Sequence, residues 1–471
     1  MQRENLIQLI MMKRNFRILM VVAATLATCH LPLVTTSAQT AREEIRQNPW
    51  LAGSNYVDYD RQLPAFNYTK APKGYVPFYM SHYGRHGSRW LIGKDDYERV
   101  IRPMRKARQE GKLTREGQEV LRKLELFNKT THRRLGDLTT VGERQHHGIG
   151  RRMAEHFPEI FVKTKGVAID ARSTTVNRCI LSMVAECEEL MAANPTARIH
   201  NDVSDALQYY LNQPWEGRVK EIGDKTWPVR HEFAEKNTHP DRIVSKLFTD
   251  QQWARDSIKP TSFMRNLFEV AINMQSHDDA PYELKDLFTD EEIYDQWRIQ
   301  NAGWYVNYGA SPLTKSVMPF SQYNLLTNII ETADTCVALR KTQATLRFGH
   351  EVCVLPLACL MELGNSGVVV DKLDELDLYW QNYKIFPMGC NIQLIFYKPK
   401  KSPKKTSTLN SQPSTLNSED ILVKALLNER EVSLPVPTTT YPYYRWNDLR
   451  AYWKKKLSDF TKTAQSDNSR E

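Results

Sequence analysis

The stretch YVPFYMSHYGRHGSR (residues 75–89) joins an apolar run to a dense cluster of positive charge. The run Tyr75–Met80 has the composition of a buried strand, and Arg85-His86-Gly87-Ser88-Arg89 follows it. Two arginines so close together repel each other unless an anion lies between them, and each guanidinium offers a planar fork of donors that suits phosphate oxygens. Open α/β sheets place their ligand sites at the carboxyl ends of strands. The stretch therefore predicts an anion site, against the alternative of a solvated basic turn.

His86 lies inside this cluster and is followed by a glycine. Neighbouring guanidinium charges disfavour protonation of the imidazole, so its ring stays neutral more readily. A neutral ring nitrogen can attack phosphorus. Gly87 lets the backbone turn sharply and approach a ligand closely. These residue types favour a phosphate ligand with a nucleophilic histidine beside it.

The composition is that of a globular protein with an ordinary core. The 471 residues are 41% hydrophobic and 25% charged, with a formal net charge of +9. A chain of this length can bury one large domain or two medium ones. It has no long block of Lys and Arg interleaved with aromatic residues, which disfavours nucleic acid as a partner. The modest positive charge fits an acidic small-molecule substrate.

Residues 1–38 have the pattern of a secretory signal peptide, in which basic residues precede the apolar run 18–24 and small and polar residues follow it. His30 and Pro32 interrupt the apolar region, so a membrane-spanning helix is disfavoured. A lipoprotein anchored through Cys29 is an alternative that the preceding threonine fits poorly. We therefore predict a periplasmic or secreted protein with no stable membrane span after cleavage. The six cysteines beyond this segment lie mostly in apolar runs and are expected to be buried free thiols.

The spacing of apolar residues predicts the regular structure. Strand patterns cover residues 75–80, 167–170, 344–348, 391–397 and 421–427. Helical patterns cover residues 95–126, 140–156, 172–191, 323–339 and 352–363. Glu143, three positions after Thr140, resembles a capping box at the start of the second helix. The last two strands are expected to pair as a hairpin.

The order of these elements predicts an α/β catalytic domain formed from residues 39–192 and 311–460. Residues 193–310 are rich in helical patterns and poor in strand patterns, so we predict a mostly α-helical cap inserted into that domain. The segment 398–419 contains a duplicated Ser-Thr-Leu-Asn-Ser and is expected to form a disordered loop. Residues 461–471 are polar and are expected to form a flexible tail.

Three groups of polar residues follow short apolar strands: Arg85–Arg89, Arg172, and the pair His350-Glu351. Parallel strands in a doubly wound sheet bring such strand ends together. The combined site would hold three arginines, two histidines and one carboxylate. That inventory suits phosphoryl transfer, because arginines neutralise phosphate oxygens, a histidine attacks in line and an acid protonates the leaving oxygen.

RHGSR at 85–89 matches the RHGxR signature of the histidine phosphatase superfamily. Arg172-Ser173-Thr174, with Arg178 after it, resembles the second arginine motif of the acid phosphatase/phytase branch, and Arg347–Glu351 resembles its distal motif. The resemblance covers roughly residues 45–455 by motif order and is strongest to bacterial multiple inositol polyphosphate phosphatases. It implies a phosphoglycerate-mutase-like α/β fold, a doubly wound sheet with an inserted, mostly α-helical cap.

The resemblance also implies roles for individual residues. His86 would be the nucleophile and form a phosphohistidine, and Glu351 would give the leaving group its proton. The residues that would bind the substrate phosphate are Arg85, Arg89, Arg172 and His350. The implied activity is hydrolysis of phosphate monoesters, with phytate or another polyanionic inositol phosphate as the expected substrate. Because the arginines supply positive charge themselves, no metal or other cofactor is expected.

The sequence departs from the family pattern directly after His350. The branch commonly has His-Asp and the inositol polyphosphate phosphatases have His-Ala-Glu, whereas this chain has His350-Glu351-Val352. The altered donor position leaves two alternatives open, a non-catalytic phospholigand-binding protein on the same fold and a broad-specificity acid phosphatase. Arg178 lies nearly two helical turns beyond Arg172 and is expected to pair with a nearby acid.

Overall fold

The predicted strand at 75–80 is the first half of β1 (Tyr75–Arg85), the middle strand of a mixed β-sheet. The computed structural model describes residues 39–63, 65–212, 215–278, 283–400 and 420–468. The other strands are β2 (Ala168–Ser173), β3 (Arg198–Val203), β4 (Ala344–Gly349), β5 (Asn391–Pro399), β6 (Leu422–Leu427), β7 (Arg430–Val432) and β8 (Tyr444–Arg445).

The sheet has the order β3-β2-β4-β1-β5-β6-β7, and β8 pairs with β6. Strands β1 to β4 run parallel to one another. Strands β5 to β7 continue the sheet in antiparallel pairs, with β5 and β6 forming the pair that the sequence predicts. The carboxyl ends of β1, β2 and β4 therefore meet at one edge, where open α/β sheets bind their ligands.

Helices connect and cover these strands. The α-helices are α1 (Ala41–Gln47), α2 (Lys94–Gln109), α3 (Arg115–Thr130), α4 (Thr140–His156), α5 (Pro158–Phe161), α6 (Asn177–Ala193), α7 (Gln208–Leu211), α8 (Gly217–Asp224), α9 (Trp227–Lys236), α10 (Asp241–Leu247), α11 (Gln251–Ser257), α12 (Pro260–Asn273), α13 (Asp290–Tyr308), α14 (Tyr323–Leu339), α15 (Glu351–Met361), α16 (Leu376–Tyr379) and α17 (Trp446–Asn468). The 3₁₀ helices are Pro49–Tyr56, Tyr59–Gln62, Asp205–Leu207, Met274–Ser276, Lys285–Leu287, Pro312–Thr314, Met318–Gln322, Leu373–Glu375 and Asn382–Lys384.

Alternate residues of β1 pack on opposite faces of the sheet. Tyr79 and Tyr83 join a core that includes residues of α14, α15 and α17, whereas Met80 joins a core with residues of α4 and α6. Helices thus cover both faces, as parallel strands require. β4 is accordingly buried along its whole length. The predicted α/β class with a doubly wound sheet is confirmed.

A third core lies among helices α2, α3, α10, α12 and α13. Its buried side chains include Val100, Leu121, Leu247, Leu267 and Trp297. Helices from the predicted cap at 193–310 therefore pack together with helices that precede β2. Residues 198–203 of the same range form β3 instead and pair with β2. The sequence RIHNDV gave no strand signal because β3 is a largely exposed edge strand without an apolar face.

Several helix boundaries differ from the predicted ones. The helix predicted over 172–191 begins at Asn177, because residues 172 and 173 belong to β2. The pattern at 95–126 divides into α2 and α3 around Gly111, whose φ of +68° ends the first helix. The cap of α4 is Thr139, whose extended backbone precedes the helix, rather than Thr140. The predicted tail from residue 461 begins as helix, because α17 has neither Pro nor Gly before it ends at Asn468.

The six cysteines expected as buried free thiols are confirmed as such, and they are Cys179, Cys187, Cys336, Cys353, Cys359 and Cys390. The predicted signal peptide at 1–38, with Cys29, lies outside the described residues, as does 401–419 of the predicted loop. Within the described part of the chain, no helix combines the length and apolar character needed to span a bilayer.

Candidate active site

The turn that follows β1 is held by direct backbone contact with the start of α4. A methyl group on Gly87 would overlap the carbonyl group of Gly142, and a methyl group on Gly142 would overlap that of Ser88. Thr139 connects the two segments, because its N–H and its hydroxyl both donate to the carbonyl oxygen of Ser88, at 2.9 and 3.1 Å. The two glycines therefore allow the helix and the turn to meet with no side chain between them.

Arg85 is fully buried at the end of β1. Its Nη1 donates to the carbonyl oxygens of Asn55 and Phe386, at 2.5 and 3.1 Å. Its Nε lies 3.0 Å from Oε2 of Glu351, and its Nη2 has no hydrogen-bond partner among the described residues. Burying a charged donor without a partner is costly, so the unused Nη2 indicates an anion-binding position.

The backbone fixes the tautomer of His86. Nδ1 lies 2.8 Å from the carbonyl oxygen of Gly87, and because a carbonyl only accepts, Nδ1 carries the proton and Nε2 presents a lone pair. Burial lowers the pKa of His86 well below its ordinary value of 6.5, and the charges of Arg85 and Arg178 lower it further against the opposing effect of Glu351. His86 is therefore neutral at physiological pH, and its unprotonated Nε2 has the lone pair that a nucleophile requires.

Glu351, the first residue of α15, places its carboxylate among these positive groups. Its Oε2 lies 3.6 Å from Nε2 of His86, and its Oε1 lies 3.9 Å from Nη2 of Arg89. Burial opposes ionisation, but the charges of Arg85 and Arg89 outweigh that effect and hold the pKa of Glu351 well below its ordinary value. The N-terminal end of α15 also favours a negative charge at this position. The carboxylate therefore lies where these groups would hold an anion.

Arg172, the second arginine predicted from the sequence, already has partners of its own. It lies 2.7 Å from Oδ2 of Asp170, two positions earlier on the same face of β2, and its Nη1 donates to the Tyr210 hydroxyl at 3.2 Å. In the sheet it lies next to Arg347 of β4. No contact joins it to His86 or Glu351 within the described ranges, so the structure does not bring Arg172 into the cluster.

Arg178, in the first turn of α6, is the third arginine of the cluster instead. Its Nη1 donates to the carbonyl oxygen of Gly136 at 3.3 Å, and its buried Nε has no partner among the described residues. Its charge acts on both His86 and His350. The expectation that Arg178 pairs with a nearby acid is wrong, since no carboxylate of the described chain lies within ion-pair distance of it.

His350 caps the N-terminus of α15, and its ring centre lies 5.6 Å from that of His86. Its Nε2 lies 3.3 Å from Oγ1 of Thr174 and 3.7 Å from Sγ of Cys179. Burial lowers the pKa of His350 to about 4, with Arg178 adding to the effect and Glu351 opposing it. The ring is therefore neutral near pH 7 and has one N–H to donate.

Arg89 is supported by residues far away in the sequence. Its guanidinium lies over the ring of Tyr56, 5.4 Å from the ring centre. The Tyr56 hydroxyl donates to Oε1 of Glu269 at 2.8 Å. Burial raises the pKa of Glu269, with the Tyr56 hydrogen bond opposing that shift. A segment before β1 and a helix of the predicted cap thus both reach the phosphate side of the cluster.

His86, His350 and Glu351 also form a group with metal-ligand character, because their donor atoms lie within 4.8 Å of one another. The guanidinium groups of Arg85 and Arg89 are adjacent to the same carboxylate. These fixed positive charges repel a metal cation and attract a phosphate oxygen. The donor set therefore fits a phosphate better than a metal ion.

The structure brings together most of the residues predicted from the sequence, namely Arg85, His86, Arg89, His350 and Glu351. Sequence reasoning missed the contribution of Arg178. A signal for it existed, since α6 has no acidic residue in its first turn and places an arginine there, where the helix dipole disfavours positive charge. An unfavourable charge at a helix start indicates a nearby anion.

Comparisons with known proteins agree with this geometry. A family model described as the histidine phosphatase superfamily (branch 2) matches residues 85–428. The multiple inositol polyphosphate phosphatase of Bifidobacterium longum, solved as a complex with inositol hexasulfate, has a similar fold with a TM-score of 0.66 at 19% identity, covering 85% of this chain and 97% of that chain. The phytase from D. castellii has a TM-score of 0.60 at 13% identity, covering 90% of this chain and 89% of that chain. No curated protein matches the chain.

The family match extends over well more than half of the chain and contains every residue of the cluster from Arg85 to Glu351. Its first matched residue is Arg85 itself, the residue at which β1 ends and the turn Arg85–Arg89 begins. The chain therefore belongs to branch 2 of the histidine phosphatase superfamily, and it is a phosphatase.

Proposed function

We propose that this phosphatase is an exported phosphomonoesterase that acts on inositol polyphosphates through a phosphohistidine at His86. One observation carries the proposal. Unused buried donors of Arg85, Arg89 and Arg178 surround a histidine whose Nε2 is unprotonated. Such an arrangement stabilises charge on the phosphate oxygens while a nucleophile attacks phosphorus.

The chemistry proceeds in two balanced steps. Nε2 of His86 forms a bond to phosphorus while the bond from phosphorus to the ester oxygen breaks, and that oxygen takes up a proton as the alcohol leaves. Water then attacks phosphorus of the phosphohistidine, its proton passes to the Glu351 carboxylate and the bond from phosphorus to Nε2 breaks, which releases inorganic phosphate and restores neutral His86. His350 donates its N–H to a phosphate oxygen in both steps.

Glu351 supplies the proton to the leaving oxygen. It must be protonated for this role, although the arginines keep it ionised before substrate binds. A phosphate dianion draws the same guanidinium groups onto itself and adds negative charge beside the carboxylate, and both effects raise the pKa of Glu351. The position of Glu351 beside His86 and Arg89 supports this role.

A basic groove supports a polyanionic substrate. A cavity of about 960 Å³ is lined in part by Lys94, Lys129 and Arg133, and the acidic residues in its lining, Glu98 and Glu125, are both paired with Arg105. Leu135 lines the same cavity, and the next residue, Gly136, accepts the hydrogen bond from Arg178. Further phosphate groups of a polyphosphorylated ring would meet positive charge there. The B. longum relative, solved with inositol hexasulfate, has the same fold.

The full chain and its His86→Ala variant test the proposal on two substrates, p-nitrophenyl phosphate and inositol hexakisphosphate. We expect His86-dependent phosphate release from both, with a higher kcat/KM for the inositol phosphate. Rapid quenching in alkali should trap an acid-labile phosphoryl group on wild type and none on the variant. Binding of inositol hexakisphosphate without His86-dependent release from any ester would instead support a phospholigand-binding protein.

The proposed export is tested separately. The full chain, expressed in a Gram-negative host, is separated into periplasmic, membrane and cytoplasmic fractions. We expect a periplasmic product whose N-terminus begins close to residue 39. A lipidated product beginning at Cys29 would support the lipoprotein alternative, and an uncleaved cytoplasmic product would contradict export.

A further inference from the structure

A short segment before β1 contacts the signature turn Arg85–Arg89 at three points. The carbonyl oxygen of Asn55 accepts from Arg85, and the ring of Tyr56 lies under the guanidinium of Arg89. The third contact starts at Asp58 and reaches the turn through the side chain of Gln145. This segment thus contacts the first and last residues of the turn directly and is connected to the fourth, Ser88, through Gln145.

Gln145 mediates the third contact, between Asp58 and Ser88. It lies on α4, its side chain is 0% exposed, and every polar atom of its amide group is bonded. Its Oε1 accepts from the backbone N–H of Ser88 at 2.9 Å. Its Nε2 donates to Oδ1 of Asp58 at 2.6 Å and to Oγ of Ser88 at 3.0 Å. The bond to Asp58 is charge-assisted and therefore stronger than a neutral one.

This arrangement fixes Ser88 from two directions, two residues after His86. The carbonyl oxygen of Ser88 is held by Thr139, and its N–H and hydroxyl are held by Gln145. Asp58 keeps the Gln145 amide in one orientation, because its carboxylate can only accept from the Nε2 side. An inverted amide would set two oxygens against each other. The turn therefore has one backbone geometry as long as this pair is intact.

We infer that Gln145 and Asp58 form a positioning pair that sets the direction of attack by His86. The inference rests on the proposed role of His86 as nucleophile. Neither residue belongs to the arginine and histidine groups that hold the phosphate. Their effect passes through Ser88 and Gly87 to the ring of His86, whose Nδ1 is bonded to the Gly87 carbonyl. Small errors in the position of a nucleophile lower kcat much more than they weaken binding.

Two single variants break the pair in different ways. Gln145→Glu keeps the acceptor for Ser88 but sets a second carboxylate against Asp58. Gln145→Met keeps the length of the side chain and removes its hydrogen bonds. We expect kcat for p-nitrophenyl phosphate to fall by roughly 10-fold to 100-fold in both variants, with KM within about twofold of wild type.

Exchanging the amide of Gln145 and the carboxylate of Asp58 distinguishes a positioning role from a general loss of structure. In the double variant Gln145→Glu with Asp58→Asn, the asparagine amide donates to the new carboxylate across the same gap, with loss of the bond that Oδ1 of Asp58 accepts from the N–H of Asp60. We expect kcat to return to within about fivefold of wild type, since the double variant restores one donor and one acceptor. Asn194→Asp is the matched control, because Asn194 is also a buried amide that donates to carbonyl oxygens, 2.8 Å from that of Phe161, but lies outside the site. It should lower Tm and leave kcat unchanged.

The outcomes distinguish this inference from the proposed function. If His86→Ala is inactive while folded Gln145→Glu and Gln145→Met retain wild-type kcat, the positioning role is refuted and the proposed function stands. A folded double variant that stays as slow as Gln145→Glu refutes the pairing. Activity that persists in His86→Ala overturns the proposed function itself. Should Gln145→Glu fail to fold, Gln145→Met and the double variant decide the question by the same criteria.

Discussion

Arg172 at the end of β2 and Arg178 at the start of α6 lie six positions apart but have different surroundings. Arg172 is held by Asp170 and Tyr210, and those contacts use its charge within the fold. Among the described residues, Arg178 donates to a backbone carbonyl and has no carboxylate partner, whereas a buried Nε without a partner is common to both arginines. Of these two arginines, only Arg172 has an ion pair with a carboxylate on its own strand, so we assign the proposed phosphate contact to Arg178, whose charge acts on His86.

A pair of matched variants distinguishes these two arginines. Arg178→Met removes a charge that faces the transferred phosphate, so kcat/KM should fall by about 10²–10³. Arg172→Met, a variant of the same size change, should stay within about threefold of wild type. Initial rates with p-nitrophenyl phosphate measure both. Equal losses of kcat/KM in the two variants would show that Arg172 also binds the substrate and that the two arginines do not differ in function.

Glu351→Gln tests the other side of the same cluster, where a carboxylate faces the arginines. General acid catalysis contributes about 10²–10⁴ in rate, most strongly for poor leaving groups. We expect a loss of that order for inositol hexakisphosphate and a loss of about tenfold or less for p-nitrophenyl phosphate, whose leaving group needs little protonation. Steady-state kcat on the two esters measures the ratio. A uniform loss on both would assign Glu351 to charge balance rather than proton transfer.

The contrast also explains which parts of the site the sequence could predict. Arg85–Arg89 and His350-Glu351 are contiguous clusters after apolar strands, so their residue types and spacing were sufficient. Arg172 met the same criterion, but the pattern could not show that Asp170 neutralises it on the same face of β2. Arg178 enters from a helix, and its role depends on the packing of α6 against the turn.

Support from distant residues could not be predicted for the same physical reason. Tyr56 and Gln145 reach the turn only because the segment before β1 and the helix α4 fold over it. Neither residue has a local pattern that distinguishes it from an ordinary core residue. The edge strand β3 was missed because its side chains are exposed and show no apolar periodicity. The buried parallel strands, in contrast, could be predicted directly from their apolar runs.

Gly142→Ala probes how closely the turn and α4 must meet. Its new methyl group would overlap the Ser88 backbone, which cannot move without disturbing the site. We expect a loss of stability of about 1–3 kcal/mol and a lower kcat. Gly303→Ala in α13 is the matched control, because no atom lies within 4 Å of its new methyl group, and it should gain about 0.5–1 kcal/mol. Urea unfolding of both variants measures the difference, and a fully stable, fully active Gly142→Ala would mean that the contact is dispensable.

His82 extends the comparison to a buried group in the core of the sheet. It lies four positions before His86, is 1% exposed, and neither ring nitrogen has a hydrogen-bond partner among the described residues. Burial lowers the pKa of His82 to about 3, with the charges of His146 and Arg347 adding to the shift. Nε and Nη1 of Arg347 donate to Asn328 and Ser81. An unpartnered group that stands alone in this way should affect stability and not catalysis.

The pH dependence of unfolding tests that distinction. The unfolded chain protonates His82 near pH 6.5, whereas the folded chain resists protonation down to a pKa of about 3, so acidification favours unfolding across that interval. Each such histidine contributes a slope of up to about 1.4 kcal/mol per pH unit. His82→Leu removes one contribution, so the free energy of unfolding should fall less steeply between pH 6 and pH 4 than in wild type, with kcat near neutral pH unchanged. An unchanged slope would mean that His82 is already neutral in the unfolded chain or protonated in the folded one. A large loss of kcat would place His82, like Arg178, among the groups on which the site depends.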